Sequence, residues 1–249
     1  MTPTPAASRP ARPAPGDVCL QGGAELRPGC EAMDAAMLWA HGPGLGPEGL
    51  ARRVVVVPFA GRPGRERAVA GANADGWYRR LGARDVDVVL DEGPAFGDLL
   101  AGLAGPDDGT DGTPGGPPVR PPRGGDLLVL PGGSPSRLLG ALTPHRDALA
   151  AALARGVAVS GASAGAMVLC RWTVLPEGGR PRVVDGLGLV PVDLVLVHFS
   201  GGSGWLDVAR GVLPPDPVVL GLPERSGAVL RPGGTVEAAG VARFTRLAV

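Results

Sequence analysis

The chain has 249 residues, 44% of them hydrophobic, and its 24 Lys+Arg balance 24 Asp+Glu to leave no formal net charge. That is enough apolar material for one sizeable core, and the charge balance offers no basic stripe to a phosphate backbone, so nucleic-acid binding is not expected. Every one of these basic residues is an arginine. Without lysine there is no phosphate-binding P-loop and no amine for a Schiff base or pyridoxal phosphate.

Residues 1–16 are rich in Pro and Ala and lack an apolar signal core, so they are expected to form a disordered tail rather than a secretory signal. One folded unit, 17–249, should follow. Short β-branched or leucine runs at 18–20, 54–57, 86–90, 127–130, 157–159 and 194–197 predict strands, and their unbroken apolar character predicts burial on both faces. Helices are predicted over 30–40, 65–81, 135–142 with 144–155, and 164–170. The alternation predicts a doubly wound, three-layer α/β/α fold on a mostly parallel sheet. Shorter β-like pieces at 228–230 and 235–238 predict an antiparallel edge at the C-terminus. The Gly- and Pro-rich stretch 105–125 predicts a flexible surface insertion. No apolar run approaches the roughly 18 residues of a membrane span, so no membrane partner is expected.

Cys19, Cys30 and Cys170 are odd in number, lack C-x-x-C spacing and stand in apolar surroundings, which predicts buried reduced thiols and a cytoplasmic setting. No zinc-ligand spacing occurs, and no metal or other cofactor is expected.

The most informative stretch is Val157-Ala158-Val159-Ser160-Gly161-Ala162-Ser163-Ala164-Gly165-Ala166, an apolar strand that breaks at G-A-S-A-G and continues as helix formers. This is the pattern of a nucleophile elbow. Small residues two positions either side let the backbone double back, and the serine hydroxyl projects at a helix N-terminus where unpaired N–H groups favour negative charge.

Such a serine needs a base, and the chain has only His41, His145 and His198. His41 lies in a Gly/Pro segment and His145 at a helix start. His198 ends the buried run Leu194-Val195-Leu196-Val197, at the sheet edge where functional residues collect. The orienting acid is expected at Glu224, directly after Val218-Val219-Leu220-Gly221-Leu222-Pro223, rather than at Glu177 or Asp185. Asp126 to Leu130 is a strand ending in Pro131-Gly132-Gly133-Ser134, so the N–H groups of Gly133 and Ala164 are the candidate oxyanion hole.

With these pieces assembled, the chain resembles peptidase family S51, which contains aspartyl dipeptidase and cyanophycinase on the class I glutamine amidotransferase-like fold. The resemblance is carried by L-Q-G-G-A-E at 20–25, L-P-G-G-x-x-x-R-L-L at 130–139, G-x-S-A-G-A at 161–166, G-L-G-L at 186–189, H-F at 198–199 and G-L-P-E at 221–224. It implies that 17–249 is a catalytic domain with Ser163 as nucleophile, His198 as base and Glu224 as acid. It further implies a short peptide or isopeptide substrate with an aspartyl-type residue at the cleaved bond, for which Ser134 and Arg137 are the substrate-binding candidates. Oligomeric state is left open, a homodimer included. Two departures stand out. The arginines that usually follow H-F in cyanophycinases are replaced by Ser200-Gly201-Gly202-Ser203-Gly204-Trp205, and Ser134-Pro135-Ser136 follows the Gly-Gly. The alternative to an enzyme is a relative that keeps the pocket as a small-molecule or protein binding module. A true glutamine amidotransferase would carry cysteine where Ser163 stands.

Overall fold

The computed structural model describes residues 16–41, 48–106, 123–177, 180–202 and 204–248. The expected tail, apart from Gly16, and 107–122 of the expected insertion lie outside the described residues.

In chain order the strands are β1 (Val18–Gln21), β2 (Trp39–Ala40), β3 (Leu50–Ala51), β4 (Arg53–Val56), β5 (Val86–Val88), β6 (Asp126–Leu130), β7 (Ala158–Ala162), β8 (Trp172–Glu177), β9 (Arg180–Asp185), β10 (Leu194–Leu196), β11 (Val219–Gly221), β12 (Ser226–Leu230), β13 (Val236–Gly240) and β14 (Thr245–Leu247). The helices are α1 (Glu31–Leu38), α2 (Arg65–Arg80), α3 (Pro94–Gly102), α4 (Pro135–Leu142), α5 (Arg146–Ala154), α6 (Ala164–Leu169) and α7 (Gly204–Ala209), with a 3-10 turn at Thr143–His145.

Seven strands form the main sheet in the order β13-β12-β1-β7-β6-β4-β5. The run from β1 to β5 is parallel throughout, and β12 and β13 add an antiparallel edge beside β1. Side chains alternate across the strands, so each apolar run feeds two cores. Val18, Leu20, Val55, Val57, Leu128, Leu130 and Val159 face the layer of α3 to α6. Cys19, Val54, Val56, Leu127, Val129 and Ala158 face α1 and α2. The helices answer with matching periodicity: α2 buries Arg67, Gly71, Ala74, Trp77 and Tyr78, one stripe of its surface. The three-layer α/β/α arrangement expected from the sequence is the one observed. The three thiols are buried and unpaired, and burial raises the pKa of Cys19 and Cys170 far above the usual thiol range.

One expectation needs correction. The run 194–197 is a strand only over β10 and does not join the main sheet; β10 pairs with β11, which pairs with β14. Both edges of β1 are already taken, by β7 and β12, so the late strands build their own small sheet. It is fastened to the end of β1, where the His198 N–H donates to Gly22 O at 2.7 Å. The β8–β9 hairpin was also not expected. No described helix is long and apolar enough to cross a membrane.

Beneath the strand ends lies a buried polar cluster. Asp34 accepts hydrogen bonds from Gln21 Nε2 (2.7 Å), Trp77 Nε1 (2.8 Å) and Tyr78 OH (3.5 Å), and Gln21 Nε2 also donates to Ser160 Oγ at 2.8 Å. Burial outweighs these bonds and pushes the Asp34 pKa up to about 6. Folded Asp34 therefore holds a proton that the unfolded chain releases above about pH 4. The stability it contributes is present below that pH and is lost as pH rises through about 6. Two pKa units correspond to about 3 kcal/mol. Asp34→Asn cannot titrate, so its stability relative to the unsubstituted protein should improve by about that amount between pH 4 and pH 7. Urea unfolding at both pH values checks this; a difference independent of pH would contradict it.

Candidate active site

Strands β1, β6 and β7 are neighbours and parallel, so their carboxyl ends deliver Gly22-Gly23, Gly132-Gly133 and Ser163 to one edge of the sheet. The turn from β7 into α6 is sharp, with Ser163 at φ 48° and ψ −109°. The glycines around it are required sterically. A Cβ at Gly161 would lie 2.6 Å from the Gly165 carbonyl, and one at Gly165 would lie 2.1 Å from Leu130 O. The Ser163 N–H donates to Gln21 O and its carbonyl accepts from Met167 N–H, both at 3.0 Å, which holds the turn from both sides.

Ser163 Oγ lies 3.1 Å from His198 Nε2, and His198 Nδ1 lies 3.0 Å from Glu224 Oε1. The tautomer that satisfies both contacts has Nδ1–H donating to the carboxylate, leaving Nε2 to accept from the serine hydroxyl. Side chains of His198 and Glu224 are 49% and 56% exposed, so the line opens to solvent. His198 is at φ 52°, and its ring packs where Gly23 has no side chain: a Cβ there would sit 2.2 Å from Cε1 and 2.8 Å from each ring nitrogen. Asp185 ends the β8–β9 hairpin, and the Glu177 side chain lies outside the description.

Of the other expected site residues, Gly133 and Ala164 stay at the strand ends beside the serine, whereas Ser134 and Arg137 are taken up by contacts with α4 and Ala60. The Gly132 backbone abuts the serine, since a Cβ at Gly132 would come within 3.2 Å of Ser163 Cβ. Among the described residues neither the Gly133 N–H nor the Ala164 N–H has a hydrogen-bond acceptor. The Ser134 hydroxyl caps α4, accepting from Arg137 N–H at 3.3 Å, and the Arg137 guanidinium donates to Ala60 O at 3.4 Å. The adjoining cleft, about 660 Å³, is lined by Glu25, Arg27, Asn73, Arg80, His198 and Glu224 among others, but not by Ser134 or Arg137.

Two residues at this site had no role assigned from sequence: Gly23 and Glu25, both within the L-Q-G-G-A-E motif. Glu25 Oε1 accepts from Gly132 N–H at 2.7 Å. Backbone strain marks the same region. The described non-glycine residues with positive φ are Ala24, Leu26, Ser163, His198, Arg225 and Asp216, and all but Asp216 belong to the site or flank Glu25 or Glu224. Each such residue costs on the order of 1–3 kcal/mol and persists where the surroundings over-determine it, which is typical of functional sites.

No family model matches the chain, and no curated protein matches it with significance. Among solved structures it is similar over 93% of its length to 90% of a peptidase from an acI-B1 Actinobacterium, at 22% identity and a TM-score of 0.67. It is also similar over 91% of its length to 99% of a candidate Peptidase E protein from Listeria monocytogenes EGD-e, at 14% identity and a TM-score of 0.57. At these identities the likeness establishes that this chain shares the fold of two proteins described as peptidases.

Proposed function

We propose that the protein is a serine-type hydrolase that cleaves an amide bond in short peptides or isopeptides. The observation that carries this reading is the continuous line from Ser163 Oγ through the His198 ring to Glu224, with both contacts at hydrogen-bond length. The fold shared with peptidases supports it, and three buried, unpaired thiols suit a cytoplasmic setting.

In the proposed reaction His198 Nε2 takes the Ser163 proton as Oγ attacks the carbonyl carbon. The negative oxygen is stabilised by the N–H groups of Gly133 and Ala164, and the charge developing on the imidazole by Glu224. The C–N bond breaks as His198 returns the proton to the amine. Water then repeats the sequence on the acyl-enzyme and frees the acid. A cleft of this volume suits a ligand of a few residues rather than a folded protein.

A mixture of short peptides and isopeptides, followed by mass spectrometry with and without hydroxylamine, tests the reading. An acyl-enzyme should be intercepted as a hydroxamate of the acyl-side fragment, and chelators should leave the rate unchanged. Cleavage without hydroxamate would argue against the acyl-enzyme. Absence of cleavage across the mixture would favour a binding module.

A further inference from the structure

The catalytic line above does not use Glu25, yet the fold holds this side chain beside the serine. It stands between Ala24 (φ 53°) and Leu26 (φ 57°), so the backbone adopts a costly conformation on both sides to present it. Its Oε1 is pinned by Gly132 N–H. The place a Gly132 Cβ would occupy lies 2.6 Å from that oxygen and 3.2 Å from Ser163 Cβ, so carboxylate and nucleophile are close neighbours. Among the described residues Oε2 has no hydrogen-bond partner. Glu25 is half-buried and lines the cleft together with Glu224. The arginines of the cleft are Arg27 and Arg80, and the Arg80 guanidinium lies over the Trp77 ring, 5.5 Å from its centre. The charge that a contact fixes on the serine's own side of the cleft is therefore the Glu25 carboxylate, while Glu224 lies across the His198 ring.

A half-buried carboxylate that keeps one unpaired oxygen attracts a cation and repels an anion more than an exposed one does, because the effective dielectric at its place is lower than in water. Resting on the hydrolase reading, we propose that Glu25 is the specificity-determining residue and selects substrates with a cationic nitrogen near the scissile carbonyl on its acyl side. An aspartyl side chain at that place meets like charge. The cation can be the α-ammonium of a free N-terminus or the tip of a longer basic side chain.

The test uses alkyl fluorophosphonates, which phosphonylate an activated serine and displace fluoride. One set carries an ammonium group on a short or a long tether, with a neutral isostere and a carboxylate counterpart. The short- or the long-tether ammonium probe should label the unsubstituted protein about tenfold faster than the neutral one, as expected for a charge pair partly screened by solvent, and the carboxylate probe should be slowest. Preference for the short tether assigns the α-ammonium, and preference for the long tether assigns a side chain. Glu25→Gln keeps an acceptor for Gly132 N–H but removes the charge, so the ratio of ammonium to neutral labelling should fall to about one. Equal rates with all probes, fastest labelling by the carboxylate, or a cation preference that survives Glu25→Gln would overturn the proposal while Ser163 labelling left the hydrolase reading standing. No labelling by any probe would remove both.

Discussion

Ser163→Ala should lower peptide hydrolysis by on the order of 10⁴- to 10⁶-fold, and His198→Ala by a similar factor, with the double variant little worse than either. Groups that act as one unit lose their joint contribution when any member goes, and Ser163, His198 and Glu224 form one hydrogen-bonded line. Alanine keeps the strained backbone at φ 48° and ψ −109°, so the fold should persist. Ser163→Gly should be equally inactive yet more stable by about 1 kcal/mol, because glycine adopts that conformation without a Cβ penalty. Rates on a cleaved peptide, paired with thermal unfolding, check both statements. Additive losses in the double variant would mean that serine and histidine act separately.

Gly23→Ala should cost at least about a hundredfold in kcat/KM, although Gly23 donates no side chain to the chemistry. The new Cβ would stand 2.2 Å from His198 Cε1, a separation no real structure tolerates, so the ring must leave its place between Ser163 and Glu224. Residue 23 is also at φ 116°, so a stability loss of about 1–3 kcal/mol should accompany the change. Gly202→Ala is the matching control. A Cβ there meets no atom within 4 Å, and its rate and stability should stay near those of the unsubstituted protein. Full activity in Gly23→Ala would show that the histidine works from another position.

The parallel strands were legible because a sheet covered on both faces needs unbroken apolar runs, and 54–57 and 127–130 read that way. Ser163, His198 and Glu224 could be picked out for a related reason: each follows an apolar run directly, at the carboxyl end of a strand or just beyond it. Which sheet a run joins was not legible. Leu194–Leu196 looks locally like the strands of the main sheet, and its exclusion follows from β12 already occupying the edge of β1. The β8–β9 hairpin was hidden because Pro176 and Pro181, paired across it, read as loop residues. Gly23 and Glu25 were visible as a motif but not as neighbours of His198 and Ser163. The need for glycine at 23 is set by a ring from far along the chain, and the place of Glu25 by the backbone of Gly132, which only folding brings near.

If Ser163 is the nucleophile, a neutral alkyl fluorophosphonate should modify the protein at that residue, and the site of modification can be read directly by peptide mass spectrometry. Trypsin should release 156–171, which carries both Ser160 and Ser163, and fragmentation of that peptide separates the two. One phosphonyl group on Ser163 is expected, lost in Ser163→Ala and strongly slowed in His198→Ala. Ser160 should stay unmodified, since it is buried and hydrogen-bonded to Gln21. An unmodified Ser163 in the folded protein, or a stoichiometric adduct on a different serine, would contradict the account.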